Sequence, residues 1–262
     1  MEYVKRWLAK WSMLCAVACV YLFLYIPIVV LVLFSFNKGS YATGWTGFSL
    51  GWYHQLFAST YIWHAFLNSL IVAISTTVIS LCCALGLIYF YSIHNRSSSV
   101  FKLFYGNVIV PEIVLAVGLL SLFSFLGVPL GLISLTVAHT VLALGYTVPL
   151  LYSRFDALDP RLTEASYDLG ATPGQTFIKV TMPLLTPAIS AAGLLVFILS
   201  FDDFILSFFC AGNEAQTLSL YIFSLLRSGT SPVLNALSTL LLAFSSLLVL
   251  IFCSLNVRTR IF

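Results

Sequence analysis

The sequence predicts an all-α membrane protein with six transmembrane helices. Two observations carry that expectation. Of 262 residues, 60% are hydrophobic and 8% charged, whereas soluble domains carry roughly 25% charged residues; the mean hydropathy is +1.03. Six separate stretches also reach the length of about 20 apolar residues that crosses a bilayer. Too little polar sequence remains to cover such stretches as buried soluble helices. An ordinary soluble enzyme, a nucleic-acid binder and a disordered chain are therefore excluded.

The first span runs from Trp11 to Phe36, behind Lys5, Arg6 and Lys10. It resembles a signal peptide, but the apolar run is too long and no small-residue cleavage site precedes a soluble domain. It is expected to stay as an uncleaved span. Asn37 to His64 is rich in rings (Trp45, Trp52, Tyr53, Phe57, Tyr61, Trp63), as expected of a segment at the membrane interface. A short interfacial helix around Ser49–Ala58 is expected there; a docking surface for an external partner is the other reading. The second span, Ala65–Tyr91, places Ser69, Ala73, Thr76, Ser80 and Cys83 on one stripe, where helices can approach closely. The third, Leu103–Leu126, is joined to the fourth, Gly131–Tyr152, by a tight turn over Gly127–Leu130. The fifth is Ala188–Cys210 and the sixth Val233–Val257, with a second small-residue stripe at Ala236, Thr239, Ala243 and Ser246. Residues 1–262 thus read as a single transmembrane domain.

Ten of the twelve basic residues fall on one side of this six-span arrangement: Lys5, Arg6, Lys10, Arg96, Lys102, Arg154, Arg161, Lys179, Arg258 and Arg260. Only Lys38 and Arg227 fall on the other. Basic residues concentrate on the cytoplasmic side, so both termini are expected in the cytoplasm. The net charge of +3 then sets topology and meets anionic lipid, with no nucleic acid required. Six cysteines, Cys15, Cys19, Cys82, Cys83, Cys210 and Cys253, lie in or at the ends of spans without a C-x-x-C pair. They read as small buried apolar groups, and His139, alone in the fourth span, offers no metal site.

The cytoplasmic segment Arg154–Pro187 gathers four acids and three bases. Asp159 can cap a helix with Pro160 in its first position. That helix, Arg161–Leu169, ends at Gly170, which suits a left-handed C-terminal residue. Thr172-Pro173-Gly174-Gln175 fits a capping box that opens a second helix, and Pro183 and Pro187 lead the chain back to the membrane. The result is a rigid elbow on the cytoplasmic face.

Acids inside a bilayer are costly and mark functional sites by default. Glu112 lies in the third span, Asp202 and Asp203 in the fifth. At about 1.5 Å per residue, Glu112 stands roughly 14 Å and Asp202 roughly 21 Å from the inner ends of their spans, a staggered arrangement. No Lys or Arg lies in a span to pair with them, so they suit a cationic cargo; the other reading is that they bond to polar groups within the bundle. Neighbouring helical residues point about 100° apart, so Asp202 and Asp203 cannot both face one pathway. Phe201, Phe204, Phe208 and Phe209 flank the acids, and aromatic faces attract ammonium groups. That favours an organic cation over a metal ion, although the rings also fit lipid or core.

Glu164-Ala165-Ser166, Gly170 and Val180-Thr181-Met182-Pro183 resemble the EAA loop of permease subunits of bacterial ABC importers, E-A-A-x3-G-x9-I-x-L-P. Ser166, Val180 and Met182 are conservative departures. The resemblance implies a type I ABC importer permease fold in a bacterial inner membrane. It also implies that Glu164, Ala165, Ser166, Gly170 and Pro183 couple the chain to an ATPase. Leu199-Ser200-Phe201-Asp202-Asp203 resembles the L-S-x-D-D segment of spermidine/putrescine importer permeases. Val110-Pro111-Glu112-Ile113-Val114 is similar to their V-M-P-D-I-V segment; Phe48-Ser49-Leu50-Gly51-Trp52-Tyr53 and Ser231-Pro232 with Asn235-Ala236 are similar as well.

The family implies a second, different permease subunit, two copies of an ABC ATPase and an external polyamine-binding protein. The chain has no G-x-x-x-x-G-K-[ST] phosphate loop, so ATP and Mg belong to the ATPase, and no catalytic residue or metal is expected here. A permease for another small organic solute is the alternative. A secondary cation transporter is a weaker one, lacking inverted repeats and leaving the elbow unexplained.

Overall fold

A computed structural model describes residues 2–39, 44–94, 99–228 and 232–259; Arg96, Ser231 and Arg260 lie outside them. The described residues are helical, with no β-pairing among them beyond an isolated bridge between Asn37 and Phe48. In chain order the helices are α1 (Glu2–Ser35), α2 (Gly51–Ala58), α3 (Thr60–His94), α4 (Ser99–Ile109), α5 (Glu112–Phe125) and α6 (Leu132–Asp156). Then follow α7 (Pro160–Asp168), α8 (Pro173–Thr176), a π-helical turn (Phe177–Thr181), α9 (Met182–Phe201), α10 (Ile205–Cys210), α11 (Leu218–Ser228) and α12 (Pro232–Thr259). Five of these stretches are long and apolar enough to cross a membrane, and α4 with α5 forms a bent pair that passes the same test together.

The chain divides into two compact units. The first comprises Met1–Thr60 with Ser224–Val249. Its α1 is exposed at every residue from Trp11 to Val30, a surface apolar enough to face lipid. The segment that follows is organised by the buried Asn37. The Asn37 side chain accepts from Thr46 N (2.9 Å) and donates to the Gly44 carbonyl (2.8 Å). Its carbonyl accepts from Trp52 Nε1 (2.7 Å). Phe36 stacks on Phe48 and packs against Tyr53, which seats the short helix α2 where the sequence predicts one.

The second unit comprises Tyr61–Phe223 with Leu250–Phe262. One apolar cluster joins Val72 of α3, Ala116 and Phe123 of α5, Leu135 and Leu142 of α6, and Leu206 of α10. Another joins Ala84 and Ile88 of α3, Phe101 of α4, Val148 and Leu151 of α6, and Ala192 of α9. The α3 stripe is buried at Ser69, Ala73, Thr76 and Ser80 as expected for packing, but the next step falls on Ala84. Cys83 is exposed. Ala236 of α12 is buried, while Ala243 and Ser246 are exposed.

Two expectations need correction. Cys15, Cys19, Cys82 and Cys83 are exposed and only Cys210 is buried among the described cysteines; the four lie on outward helix faces, where an apolar thiol suits lipid as well as core. The third and fifth spans are also not continuous helices. The third breaks at Val110–Pro111 with a bend of 108° between α4 and α5. Pro111 lacks an amide hydrogen and disfavours helical backbone in the preceding residue. The fifth helix stops at Phe201, and the chain resumes helical form only at Ile205. The turn after α5 is as expected: Gly127 takes φ +67° and Val128 N donates to the Phe123 carbonyl (2.8 Å).

Candidate functional site

All three intramembrane acids lie at the helix breaks. Glu112 is the first residue of α5, directly after the break, with Pro111 at φ −56° and ψ 133° ahead of it. Asp202 closes α9, its amide donating to the Ile198 carbonyl (3.1 Å), and Asp203 lies in the gap before α10. Broken membrane helices expose backbone groups that need partners. The Asp203 carboxylate supplies one, accepting from Ser207 N (3.0 Å) in the first turn of α10. The Asp203 carbonyl accepts from Ser219 Oγ of α11.

The two aspartates diverge in their surroundings at the break. Asp202 is exposed and Asp203 is 8% exposed. Asp203 is not isolated. His139 of α6, 2% exposed, brings Nε2 to 3.2 Å from Asp203 Oδ2, an ion-pair distance lacking the angle of a directed hydrogen bond. The other ring nitrogen, Nδ1, is 2.7 Å from Ser200 Oγ on α9. The Asp203 carboxyl also lies beside that of Glu112. A buried carboxylate is tolerated only when paired and hydrogen-bonded, and this ring of partners meets that demand.

Glu112 and Asp203 are therefore in contact, against the staggered placement expected from straight helices. Counting 1.5 Å per residue assumes an unbroken axis, and the 108° bend removes that assumption for the third span. His139 and Ser200 were missed as site residues. A histidine inside an apolar span was itself the available signal, since an intramembrane ionisable group calls for a named partner. Its partner is 64 residues away in sequence, beyond any local pattern.

The flanking rings pack chiefly on one another. Phe201 is buried against Phe66 (6.0 Å, edge-on) and stacks on Phe197, while Phe204 meets Phe223 at 4.8 Å and Phe208 at 5.6 Å. Phe208 is exposed, and Phe209 contacts it edge-on. The α10 segment is tied down by Ser134 Oγ, which donates to the Cys210 carbonyl (3.0 Å).

The elbow forms as its local signals predict. Asp159 accepts from Arg161 N (3.0 Å) with Pro160 in the first position of α7. The helix ends at Gly170 with φ +82°, a left-handed backbone that costs other L-residues about 1–2 kcal/mol. Thr172 and Gln175 make both bonds of a capping box. Ser166 Oγ and Thr176 Oγ1, 2.8 Å apart, tie the two limbs together. After α8 the chain passes through the π-helical turn straight into α9, so Pro183 begins a helix rather than a separate return. Glu164, Ala165, Gly170 and Pro183 are exposed and Ser166 half-buried, beside Leu162, Tyr167 and Leu169, whose exposure reaches 89% at Leu169. The elbow is thus a charged knob that carries exposed apolar side chains.

Residues 95–260 match the family described as "Binding-protein-dependent transport system inner membrane component". The spermidine/putrescine transport system permease protein PotC of Haemophilus influenzae is 38% identical over 234 residues, 88% of this chain and 91% of that protein. PotC of Escherichia coli K12 is 36% identical over 233 residues, 88% of each chain. The putrescine transport system permease protein PotI of the same strain is 33% identical over 230 residues, 84% of this chain and 82% of the relative. Among solved structures, a bacterial ABC transporter involved in the import of the acidic polysaccharide alginate aligns at TM-score 0.76. Identity there is 16%, over 98% of both chains. The inward-facing MetNI methionine ABC transporter aligns at TM-score 0.56 with 21% identity, over 74% of this chain and 92% of that one. These two likenesses establish the fold, and the sequence relatives establish the kinship that the elbow and acid motifs suggested. The chain belongs to the family of binding-protein-dependent transport system inner membrane components.

Proposed function

We propose that this chain is the permease subunit of an ATP-driven importer that brings spermidine or putrescine into the cytoplasm. The observation that carries the substrate class is the convergence of Glu112, Asp202 and Asp203 at two helix breaks. Broken helices around acidic groups are how membrane transporters build solute sites, and carboxylates without a Lys or Arg in the spans attract ammonium groups. The same carboxylates would repel an acidic cargo, so the likeness to an alginate importer is one of fold. The names of the relatives at 33–38% identity point to the same substrate class.

In this reading the chain crosses a bacterial inner membrane six times, α4 and α5 together making one bent crossing. Both termini are cytoplasmic, as the ten-to-two split of basic residues requires. A second permease subunit completes the pathway, an external binding protein delivers the polyamine, and two ATPase copies hold ATP and Mg. The exposed elbow around Glu164, Ala165, Ser166, Gly170 and Pro183 seats on the ATPase and carries its motion into α9 through the π-helical turn. The helix is continuous from the elbow to Asp202, so a displacement of the elbow moves one wall of the acid site.

Uptake of labelled spermidine and putrescine by the assembled complex tests the proposal. Asp202→Asn is expected to raise the KM for polyamine by about tenfold or more, the effect of removing a charge-assisted contact. Polyamine uptake unchanged by Asp202→Asn and Glu112→Gln together would overturn the substrate assignment. Glu164→Ala and Gly170→Val are expected to uncouple ATP hydrolysis from uptake while leaving membrane insertion intact; normal uptake in both would refute the coupling role.

A further inference from the structure

We infer that His139 is a positioning residue of the acid site: it holds Asp203 as an internal post, which keeps Glu112 docked across the two helix breaks and leaves Asp202 and Glu112 to meet the cargo. The inference rests on the proposed cation site and divides its three acids into two roles. Asp203 is surrounded by the protein itself: His139 Nε2 at 3.2 Å, the Ser207 amide at 3.0 Å and the Glu112 carboxyl. Glu112 is half-buried and Asp202 exposed, so these two retain a surface for a solute.

The geometry gathers five elements around Asp203. His139 sits on α6, which is continuous through this region, and α6 supplies the fixed frame. Its Nδ1 contact with Ser200 Oγ (2.7 Å) anchors the last turn of α9. Its Nε2 edge faces Asp203, which accepts from the Ser207 amide of α10 and takes a bond on its carbonyl from Ser219 of α11. Glu112, at the start of α5, completes the set. A ring with its proton on Nε2 holds that N–H beside the carboxylate, off the line of a directed hydrogen bond, and leaves Nδ1 to accept from the Ser200 hydroxyl.

Two carboxyl groups in contact repel when both are ionised. The imidazole edge 3.2 Å from Asp203 Oδ2 offsets part of that repulsion, which keeps the α5 start against the α9–α10 gap before cargo arrives. Without the ring, the Glu112–Asp203 contact is the member of the set with least to hold it. Glu112 would then be free to leave the α9–α10 gap, and a cation held there would lose one contact.

The test measures polyamine uptake and basal ATPase activity in complexes of wild type, His139→Leu, His139→Gln, Asp203→Asn and the double variant His139→Leu/Asp203→Asn. His139→Leu is expected to raise KM about tenfold, with kcat and basal ATPase activity within about twofold of wild type. His139→Gln, whose amide can face both Ser200 and Asp203, is expected to recover most of that loss. The double variant should be no worse than Asp203→Asn alone, because residues acting through one contact are not additive. Equal defects in the Leu and Gln variants, a fall in kcat at constant KM, or additive losses would overturn the inference. Should His139→Leu fail to assemble, the His139→Gln and Asp203→Asn measurements decide, since Gln must keep KM within about threefold of wild type while Asn does not. Failure of the wild-type complex to take up any polyamine would instead overturn the substrate reading, and KM for the solute it does carry would then test His139.

Discussion

Replacing Gly145 with alanine tests the packing that sets the bend at Glu112. Gly145 lies on the buried face of α6, opposite Asn107 of α4, two residues before the end of that helix. A Cβ built on Gly145 would stand 3.0 Å from Asn107 Cβ and 3.1 Å from its Nδ2, inside the roughly 3.5–4.0 Å that carbon pairs prefer. Asn107 cannot simply rotate away, because its Nδ2 donates to the Val141 carbonyl at 2.5 Å. Overpacking of this kind costs about 1–3 kcal/mol, and weakening the Asn107 bond adds about 1 kcal/mol. Against this, alanine gains about 1 kcal/mol over glycine in helix propensity. The clash wins, leaving a net loss of about 1–3 kcal/mol.

Thermal unfolding of the purified complex in detergent is the assay. A loss of that size lowers Tm by about 2–10 °C for a chain of this length. Gly86→Ala on α3, where an added Cβ meets nothing within 4 Å, is the control and should leave Tm unchanged or raise it. Because α4 ends beside Pro111, Gly145→Ala should also reduce uptake more than Gly86→Ala does. A Gly145 variant as stable as the Gly86 control would refute the close approach of α4 and α6, and with it the account of how the bend is held.

Gly212→Ala should destabilise more sharply, since its φ of +64° disfavours alanine and the new Cβ would stand 2.9 Å from the Leu130 carbonyl oxygen; a Tm within about 1 °C of wild type would contradict it. Thr172→Ala removes one bond of the capping box and should cost about 0.5–2 kcal/mol of local elbow stability. Faster hydrogen exchange over residues 172–181 checks this, and unchanged exchange would count against the capping role. Asn37→Ala should loosen the segment between α1 and α2 by freeing Thr46 and Gly44, seen as faster protease cleavage there, while the Trp52 bond to the residue 37 carbonyl persists.

The elbow was legible residue by residue because its signals are local. A cap at Asp159, a left-handed glycine at Gly170 and a capping box at Thr172–Gln175 each act within four residues, and all three form. The acid site was legible only as a list. Glu112, Asp202 and Asp203 stood out because charge in an apolar span is costly, yet their spacing was misjudged. Pro111 signalled a break in the third span; nothing comparable marks the fifth, where neither Pro nor Gly lies near Asp202. The four outward-facing cysteines were misplaced for a related reason: an apolar side chain in a span satisfies lipid and core equally, so its type does not say which way it points.

Composition and periodicity thus determined, by themselves, that this chain is a set of apolar helices with a charged elbow and three acids among apolar residues. Those properties follow from solvation and from backbone preferences over a few turns. Only the tertiary structure decided that the acids sit at breaks, that Glu112 touches Asp203, that Asp202 stays exposed, and that His139 has a carboxylate and a serine beside it. Each of those facts depends on helices far apart in sequence, and on an axis bent by 108°. The meeting of residues 112, 139 and 203 is a product of packing, which no window along the chain contains.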